Sequence, residues 1–356
     1  MRSSTGLLRV RGTSPLREVP AVSQDAQTEE ARGRPLRVLL VKTSSLGDVV
    51  ASLPVVADIL RWRPDAQLDW VVEEAFVDLV RMHPDVADVI VLAQRRWRKH
   101  PLSAIAWAER RSFRARLRVV RYDVVIDTQG LLKSALVTFR ARGTSVGYGW
   151  SSAREPLATL AYDRRIAIPK GIHAIERNRR LAAASLGYAL LDPPEYGLRC
   201  PGMPGSLVLP KAFWVALHGT SRDEKLWPEE RWAALGATLA ARGLAVVLPW
   251  GTERERARSE RLAARIRGAL VPPRLSLHEL AGLLGASRFA VGVDTGLTHL
   301  AAALAVPVVA LFSRSNPALS GVRGRGAYAN LGGMNCPPSV HAVVAAVDVV
   351  APDDVR

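Results

Sequence analysis

The chain has little cysteine and no long apolar run. Its two cysteines, Cys200 and Cys336, are far apart, and neither belongs to a CxxC motif or a Cys/His cluster. This scarcity excludes a disulfide framework and a structural zinc site, and it favours a reducing, cytoplasmic setting. The longest uninterrupted apolar run towards the C-terminus, 300–312, contains Pro307. Because a bilayer-spanning helix needs about 20 apolar residues, we predict no transmembrane helix.

Acidic residues are also scarce: 33 Asp and Glu stand against 49 Lys and Arg, which gives a formal net charge of +16. An acidic or near-neutral surface is therefore excluded. Hydrophobic residues make up 48% of the chain and charged residues 23%. That composition is typical of a globular protein and excludes a disordered chain or a fibre. The 356 residues exceed what one hydrophobic core usually serves, so we expect two domains of ordinary size.

The first residues lack the apolar core region of a secretory signal, since the segment 1–35 is rich in Ser, Thr, Arg, Gln and Glu. Its Arg content is weakly similar to a transit peptide, but its acidic residues Asp25, Glu29 and Glu30 argue against one. We expect this segment to be a disordered extension.

From Arg37 onward, short β-branched apolar runs alternate with amphipathic helical stretches. This alternation is typical of a parallel sheet covered by helices, so the predicted fold class is α/β. Five prolines fall at the segment around 193–210, which predicts a linker. The expected division is an N-terminal Rossmann-like domain over 36–192, the linker 193–210, a second Rossmann-like domain over 211–337, and a C-terminal helix and tail over 338–356. Because loops at the carboxyl edges of such sheets bind ligands, we expect the site between the halves.

At the level of single elements, we expect a helix over 49–61 and a strand over 269–272. Val308–Phe312 is expected to be the last strand of the second half.

The first candidate loop, Lys42–Asp48, follows the first predicted strand and precedes a helix. Its small residues let backbone N–H groups approach a ligand, and the helix N-terminus favours anionic groups. The GxxxxGK[ST] pattern is absent, so the loop is not a P-loop. Asp48 has two interpretations, a helix-start carboxylate stabilised by the helix dipole or a general base, and the residues alone leave both open.

The second candidate loop, Val293–His299, lies between an apolar strand and an Ala-rich helix. Asp294, Thr295 and Gly296 offer a carboxylate, a hydroxyl and exposed backbone donors, which suits a sugar diphosphate. His299 has an alternative interpretation as a core histidine with satisfied hydrogen bonds.

Two further loops of the second half follow strands. In the loop 218–229, the Thr220 and Ser221 hydroxyls and the Lys225 ammonium would suit a diphosphate, although a solvated charged loop is the alternative. In the loop 248–255, a glutamate could accept both hydroxyls of a ribose. The pattern does not choose between Glu253 and Glu255.

A strongly basic block extends over 94–121, with ten basic residues, one acidic residue, Glu109, and two interleaved tryptophans, Trp97 and Trp107. Such a block indicates a surface for nucleic acid, anionic lipid or a phosphorylated acceptor. A solvated helix face is the alternative, and charge alone does not decide.

Eight segments, in chain order, resemble the type I lipopolysaccharide heptosyltransferases of glycosyltransferase family 9. They are Lys42–Asp48, Asp69–Glu74, Arg95–Lys99, Asp127–Ser134, Ala153–Leu157, Asp223–Glu229, Leu248–Gly251 and Asp294–His299. The resemblance extends from about Arg37 to Phe312 and is more specific than any single motif. After Phe312 it weakens.

The resemblance implies a GT-B fold, in which two Rossmann-like doubly wound domains face each other across a cleft. It implies inverting transfer of heptose from ADP-L-glycero-β-D-manno-heptose to a Kdo hydroxyl of Kdo-lipid A in lipopolysaccharide inner-core biosynthesis, with neither a metal nor another cofactor. The expected place is the cytoplasm, peripheral on the inner face of the bacterial inner membrane. The expected partners are the two substrates and the anionic membrane surface, without nucleic acid.

The resemblance also implies roles for residues. Asp48 becomes the general base, a role that suits a carboxylate if the closed cleft raises its pKa modestly while leaving it ionised, and Lys225 neutralises charge on the leaving diphosphate. The implied donor-binding residues are Thr220, Ser221, Lys225, Glu255, Asp294, Thr295, Gly296, Leu297 and His299. The implied acceptor-binding residues are Ser44, Ser45, Gly47, Arg95, Arg96, Arg98, Lys99 and Arg154.

Two alternatives stay open. A type II heptosyltransferase shares the fold and the donor turn, although the segments Arg95–Lys99 and Asp223–Glu229 favour type I. A basic nucleic-acid-binding protein would explain an isoelectric point of about 10.8. It would not require Asp48, Lys225 and Asp294 to lie at predicted strand ends, and the chain has no recognisable nucleic-acid-binding module.

Overall fold

The computed structural model describes residues 34–190, 193–203, 205 and 207–352. The predicted extension 1–35 therefore lies, up to residue 33, outside the described residues, as does the end of the predicted tail. The strands are β1 (Arg37–Val41), β2 (Gln67–Glu73), β3 (Val86–Leu92), β4 (Arg121–Asp127), β5 (Arg142–Tyr148), β6 (Arg164–Ile166), β7 (Phe213–Leu217), β8 (Ala245–Val247), β9 (Ala290–Val293), β10 (Val308–Phe312) and β11 (Tyr328–Gly332).

The described strands form two sheets. The first has the order β3-β2-β1-β4-β5-β6 and the second the order β11-β10-β9-β7-β8. All neighbours pair in parallel, and the central strands are buried on both faces, as their apolar runs predict. The predicted α/β class is confirmed. Because the sheets contain residues 37–166 and 213–332, they lie on either side of the predicted linker in the chain, but the domain boundaries at 192 and 211 stay a prediction.

The strand order places the candidate loops. The chain reverses direction across the first sheet between β1 and β4, and across the second between β7 and β9. Crevices at the carboxyl edge open at such reversals. The loops that begin with Lys42 and Thr128 flank the first reversal, and those that begin with His218 and Asp294 flank the second.

The helices cover the sheets. They are α1 (Leu46–Val50), α2 (Pro54–Trp62), α3 (Val77–Arg81), α4 (Gln94–Lys99), α5 (Ala104–Val119), α6 (Leu132–Arg140), α7 (Ala174–Leu186), α8 (Glu229–Ala240), α9 (Glu253–Ala263), α10 (Leu277–Ala286), α11 (Gly296–Ala303), α12 (Pro317–Ser320) and α13 (Val340–Val350). Short 3₁₀ helices cover Glu74–Phe76, Pro156–Ala161 and Asp223–Lys225. No helix among the described residues is long and apolar enough to cross a membrane.

Three element-level expectations are wrong. The single helix expected over 49–61 is two helices, because Pro54 has no N–H to donate to the carbonyl of Val50 and instead starts α2. The strand expected over 269–272 is reduced to one bridge between Leu270 and Val247. Strand β10 does not close the series, since β11 pairs with it in parallel.

The buried core is continuous across both sheets. One cluster of buried side chains includes Leu40 of β1 and Leu217 of β7. A second cluster belongs to the second sheet and its helices, and it takes in Val343 and Val347 of α13. The C-terminal helix, which the sequence left without a position, therefore packs on the second sheet.

A buried ion pair joins α2 to α7. The Arg179 guanidinium donates to both carboxylate oxygens of Asp58, at 2.7 and 2.9 Å. The two side chains are 1% and 2% exposed. Two charges buried this deeply stay ionised because each compensates the charge and the hydrogen-bonding groups of the other.

Removing one partner of this pair is expected to be costly. Asp58→Ala would leave the buried guanidinium without its bidentate carboxylate, so we expect the free energy of unfolding to fall by about 3–5 kcal/mol. Urea denaturation followed by circular dichroism measures this loss. Arg180→Ala, which removes a half-exposed pair with Glu176 on the same helix, is the control and should cost far less. Equal losses in the two variants would contradict the assignment.

Candidate active site

Asp48 lies in the first turn of α1, in the loop that follows β1. Its Oδ2 accepts hydrogen bonds from the backbone N–H and the hydroxyl of Ser45, at 3.1 and 3.0 Å. Its Oδ1 lies 2.6 Å from Nη2 of Arg154, which comes from the loop after β5. The capping role and the ion pair therefore coexist, and Asp48 remains partly accessible, with its side chain 21% exposed.

The pKa of Asp48 lies well below its usual range. Burial acts to raise this pKa, but the charges of Lys42 and Arg154 and the hydrogen bonds from Arg154 and Ser45 outweigh burial. The shift in this structure is opposite to the modest rise that a closed cleft would have to supply, while the expectation of an ionised carboxylate agrees with its direction. The sequence could not reveal the pair with Arg154, because the two residues are 106 positions apart.

Lys42 is a candidate functional residue that the sequence analysis did not single out. It follows β1 directly, is 2% exposed, and donates to the carbonyl of Thr128 at 2.8 Å. Burial lowers the pKa of Lys42 to about 8, and the charge of Asp48 opposes that shift. A lysine directly after an apolar strand, at the start of a loop of small residues, is the signal that could have identified it.

The serines of this loop hold its conformation. Ser44 is buried, and its hydroxyl accepts a hydrogen bond from Nζ of Lys133 on α6, at 2.6 Å. Ser45 is exposed and donates to Asp48, as described above. Both were expected to bind an acceptor; the structure shows them positioning the loop, and acceptor binding by them stays a prediction.

Asp294 is the centre of polar contacts in the loop after β9. Its Oδ2 accepts from Nζ of Lys225 at 2.6 Å and from the hydroxyl of Ser315. Nε2 of His299 lies 3.8 Å from Oδ1. Burial acts to raise the pKa of Asp294, but the nearby His299 ring, the hydrogen bonds from Lys225 and Ser315 and the charge of Lys225 hold it well below its usual range. The structure thus brings Lys225, Asp294 and His299 together, and Ser315 was missed by the sequence analysis.

The remaining donor-turn residues lie around this centre. The Thr220 hydroxyl donates to the backbone carbonyl of Asp294 at 3.4 Å. Ser221 is exposed. Thr295, Gly296 and Leu297 begin α11, where unpaired backbone N–H groups point out of the helix start. At the turn expected to bind the diphosphate, the end of a strand, a lysine side chain and the N-terminus of a helix therefore lie close together.

The structure favours Glu255 over Glu253 as the glutamate that faces these loops. Oε2 of Glu255 accepts from the backbone N–H groups of Gly251 and Thr252, at 2.9 and 3.0 Å. Its Oε1 lies against Gly219, where a Cβ would be only 2.5 Å away. The Glu253 side chain is 79% exposed and lies near Arg256.

Helices α1 and α11 meet at their N-termini. A Cβ built on Gly296 would lie 2.6 Å from Cβ of Leu46 and 2.8 Å from the backbone nitrogen of Gly47. A Cβ on Gly47 would lie 3.4 Å from Cδ2 of His299. The loop that carries Asp48 thus lies against the turn that carries Asp294, as expected for a site between the two halves.

The expected acceptor-binding cations differ in their surroundings. Arg96 is already paired with Glu74 and Glu109, at 3.1 and 2.9 Å. The Arg95 guanidinium lies over the ring of Phe76, 5.4 Å from its centroid. Arg98 and Lys99 are exposed on α4, and Arg154 pairs with Asp48.

The described residues contain no group of three or more His, Cys, Asp or Glu side chains that could hold a metal ion. The Lys225 ammonium and the Asp294 carboxylate are paired beside the α11 turn, and the His299 ring lies close to Asp294.

The chain as a whole is similar to known heptosyltransferases. A family model described as Glycosyltransferase family 9 (heptosyltransferase) matches residues 110–346. Lipopolysaccharide heptosyltransferase 1 of Pseudomonas aeruginosa is 48% identical over 299 residues, which cover 82% of each chain. The structure of Escherichia coli heptosyltransferase WaaC with ADP has a TM-score of 0.81 at 41% identity, covering 89% of this chain and 100% of that one. The structure of Escherichia coli WaaC with ADP-2-deoxy-2-fluoro heptose has a TM-score of 0.77 at 40% identity, covering 88% of this chain and 99% of that one.

The contact between α1 and α11 yields a prediction. Gly296→Ala would force Leu46 and the Gly47 backbone away, so we expect the free energy of unfolding to fall by about 1–3 kcal/mol, as for other overpacked sites. Urea denaturation measures the change. Gly333→Ala is the matched control, because nothing lies within 4 Å of a Cβ built there. A Gly296→Ala protein as stable as this control would mean that the two helix starts are not in contact.

Proposed function

We propose substrates and a mechanism for this chain, which belongs to glycosyltransferase family 9, the heptosyltransferases. Its two parallel sheets and their helices form the GT-B fold, as predicted. The chain is a glycosyltransferase that transfers heptose in lipopolysaccharide core biosynthesis. The proposal concerns the identity of both substrates, the place of the reaction, and the roles of individual residues.

The donor in this proposal is ADP-L-glycero-β-D-manno-heptose. Its diphosphate would lie at the N-terminus of α11, where backbone N–H groups and the Lys225 ammonium favour negative charge. Glu255, which reaches towards Gly219, would accept hydrogen bonds from the ribose hydroxyls. Asp294, already hydrogen-bonded to Lys225, would contact the heptose. The relative solved with ADP-2-deoxy-2-fluoro heptose supports this choice of donor.

The acceptor is Kdo-lipid A, and the enzyme acts as a peripheral protein on the cytoplasmic face of the inner membrane. Kdo carries a carboxylate, which suits the cations that surround Asp48. Exposed Arg98 and Lys99, together with Arg95, would hold the acid and phosphate groups of the acceptor. Arg96 contributes less, because two carboxylates already occupy its guanidinium.

The reaction is an inverting displacement. A Kdo hydroxyl oxygen attacks C1 of the heptose, the bond from C1 to the diphosphate oxygen breaks, and ADP leaves with the electron pair. Asp48 takes the proton of the hydroxyl. Lys225 and the start of α11 stabilise the charge that develops on ADP, so no metal is required.

Arg154 links acceptor binding to the basicity of Asp48. In the structure this guanidinium neutralises Asp48, which makes the carboxylate a weak base. An arriving Kdo carboxylate would compete for the same guanidinium. The pKa of Asp48 would then rise towards the usual range of a carboxyl group while the proton is being transferred.

One observation carries the proposal: the first turn of α1, which holds Asp48, lies against the start of α11, and Asp294, just before that start, is hydrogen-bonded to Lys225. ADP release from ADP-heptose tests it. We expect ADP to form when Kdo-lipid A is present and only slowly without it. Transfer to a heptose-bearing acceptor, with none to Kdo-lipid A, would instead assign type II specificity. No ADP formation with any such acceptor would reject the proposal.

Replacing the base should remove most of the turnover. Because an amide cannot take a proton, we expect Asp48→Asn to lower kcat by about 10²–10⁴-fold with little change in donor affinity. Steady-state kinetics and donor titration measure the two effects. Glu279→Gln is a matched control, since Glu279 holds the same position in the first turn of α10. A kcat within twofold of the unaltered enzyme would leave Asp48 with only its capping role.

Chelation should leave the reaction intact. With Lys225 supplying the charge that a metal would supply elsewhere, we expect excess EDTA to change kcat by less than about twofold, and Lys225→Met to lower it by about 10²-fold or more. ADP release with and without EDTA is the measurement. Loss of activity on chelation, with recovery on adding Mg²⁺ or Mn²⁺, would overturn the assignment of Lys225.

A further inference from the structure

One face of α6 carries a row of apolar side chains without cover. Leu132, Leu136 and Phe139 are 50%, 49% and 69% exposed. Spaced at i, i+4 and i+7, they share one side of the helix. The opposite side is buried and includes Val137 and Thr138. This helix therefore has two faces suited to burial, and among the residues that the structure describes only one of them is buried.

A second apolar row lies on the neighbouring 3₁₀ helix, Pro156–Ala161. Its Leu157 and Leu160 are 56% and 70% exposed. The two elements pack on each other through a small buried cluster of Ala135, Ala158 and Tyr162. Single exposed leucines are ordinary, but five large apolar side chains on two packed elements mark an interaction surface. We call these five residues, Leu132, Leu136, Phe139, Leu157 and Leu160, the apolar rows.

The surroundings of the rows are cationic. A cavity of about 250 Å³ lies between α4, α5 and α6, and Leu136 of the apolar rows lines it. The charged side chains that line it are Arg98, Arg110, Arg114, Lys133 and Arg140. Three more apolar side chains are exposed around the start of α5: Leu102, Ile105 and Trp107, at 92%, 69% and 57%. Apolar side chains bordered by Lys and Arg are typical of surfaces that bind anionic bilayers.

The rows also adjoin the catalytic residues. On α6, Lys133 donates to Ser44 in the loop that carries Asp48. On the other element, Arg154 precedes the 3₁₀ helix by two residues and pairs with Asp48. A surface that receives the apolar rows would thus lie next to the base.

We propose that the apolar rows and the cations beside them form the face that docks this protein on an anionic bilayer, with Leu136, Phe139 and Leu160 entering the boundary between headgroups and acyl chains. The inference rests on the proposed function, because a lipid-linked acceptor gives the docked orientation its purpose. It goes beyond attraction of the basic block to a charged surface, since apolar contacts persist when salt screens charge.

Vesicle flotation tests the proposal without measuring activity. We expect the enzyme to bind vesicles of phosphatidylethanolamine and phosphatidylglycerol, to bind phosphatidylcholine vesicles weakly, and to keep part of its binding in high salt. The variant Leu136→Gln, Phe139→Gln, Leu160→Gln should bind anionic vesicles about tenfold or more weakly and lose the salt-resistant part. The matched control, Val208→Gln, Met334→Gln, Val349→Gln, alters three apolar side chains elsewhere that are also exposed, at 91%, 62% and 78%, and should bind normally.

Activity provides the second arm. On Kdo-lipid A embedded in vesicles, the row variant should lose kcat/KM in proportion to its binding, while on a deacylated, water-soluble Kdo acceptor it should match the unaltered enzyme. Equal loss on both acceptors, normal vesicle binding by the row variant, or equal loss by the control variant would overturn the proposal. Dissociation of a dimer by the row substitutions, seen by analytical ultracentrifugation, would assign the face to a second copy. If the unaltered enzyme does not transfer heptose to the soluble acceptor, that result would contradict the proposed function. It would not contradict the docking face, which vesicle binding tests separately.

Discussion

The charge on Asp48 is the constraint on which the site depends. The carboxylate is partly buried, which by itself would favour its neutral form, yet Lys42 and Arg154 keep it ionised. Lys42 in turn keeps its place because it directly follows four buried residues of β1 and donates to the Thr128 carbonyl. A carboxylate held by two cations is a weak base, and its basicity rises only when one of the cations is engaged elsewhere. The anionic acceptor of the proposed reaction is suited to engage Arg154.

The second constraint is the close approach of α1 and α11. Two glycines, Gly47 and Gly296, let the helix starts approach without an intervening side chain. Both helices follow strands at a reversal of sheet order, so the carboxyl edges of the two sheets meet where the helix dipoles begin. The result is a place with positive backbone potential, a lysine and two ionised aspartates. This arrangement suits the departure of a diphosphate from a sugar that an acceptor hydroxyl attacks.

Much of the fold follows from local pattern, and the failures have local causes. Buried parallel strands such as β1 and β10 are recognisable because they are continuous apolar runs, whereas β11 has mixed exposure and no such run. Pro54 divides a helix whose apolar periodicity continues through it. At the site, residue types and loop positions indicate Asp48, Lys225 and Asp294. The sequence could not supply contacts between distant segments, namely Arg154 with Asp48 and Ser315 with Asp294, and so it could not give the direction of the Asp48 pKa shift in this structure.

The ionisation of Asp48 is the most direct test of this account. The carboxyl ¹³C resonance of Asp48, assigned by its absence in Asp48→Asn, would be followed from about pH 7 to about pH 4, across the usual range of a carboxyl group. The account predicts no titration in the unaltered enzyme over this range. In Arg154→Gln, which removes the ion pair, it predicts a midpoint displaced upwards. A midpoint at or above about 4 in the unaltered enzyme, unchanged by Arg154→Gln, would contradict it.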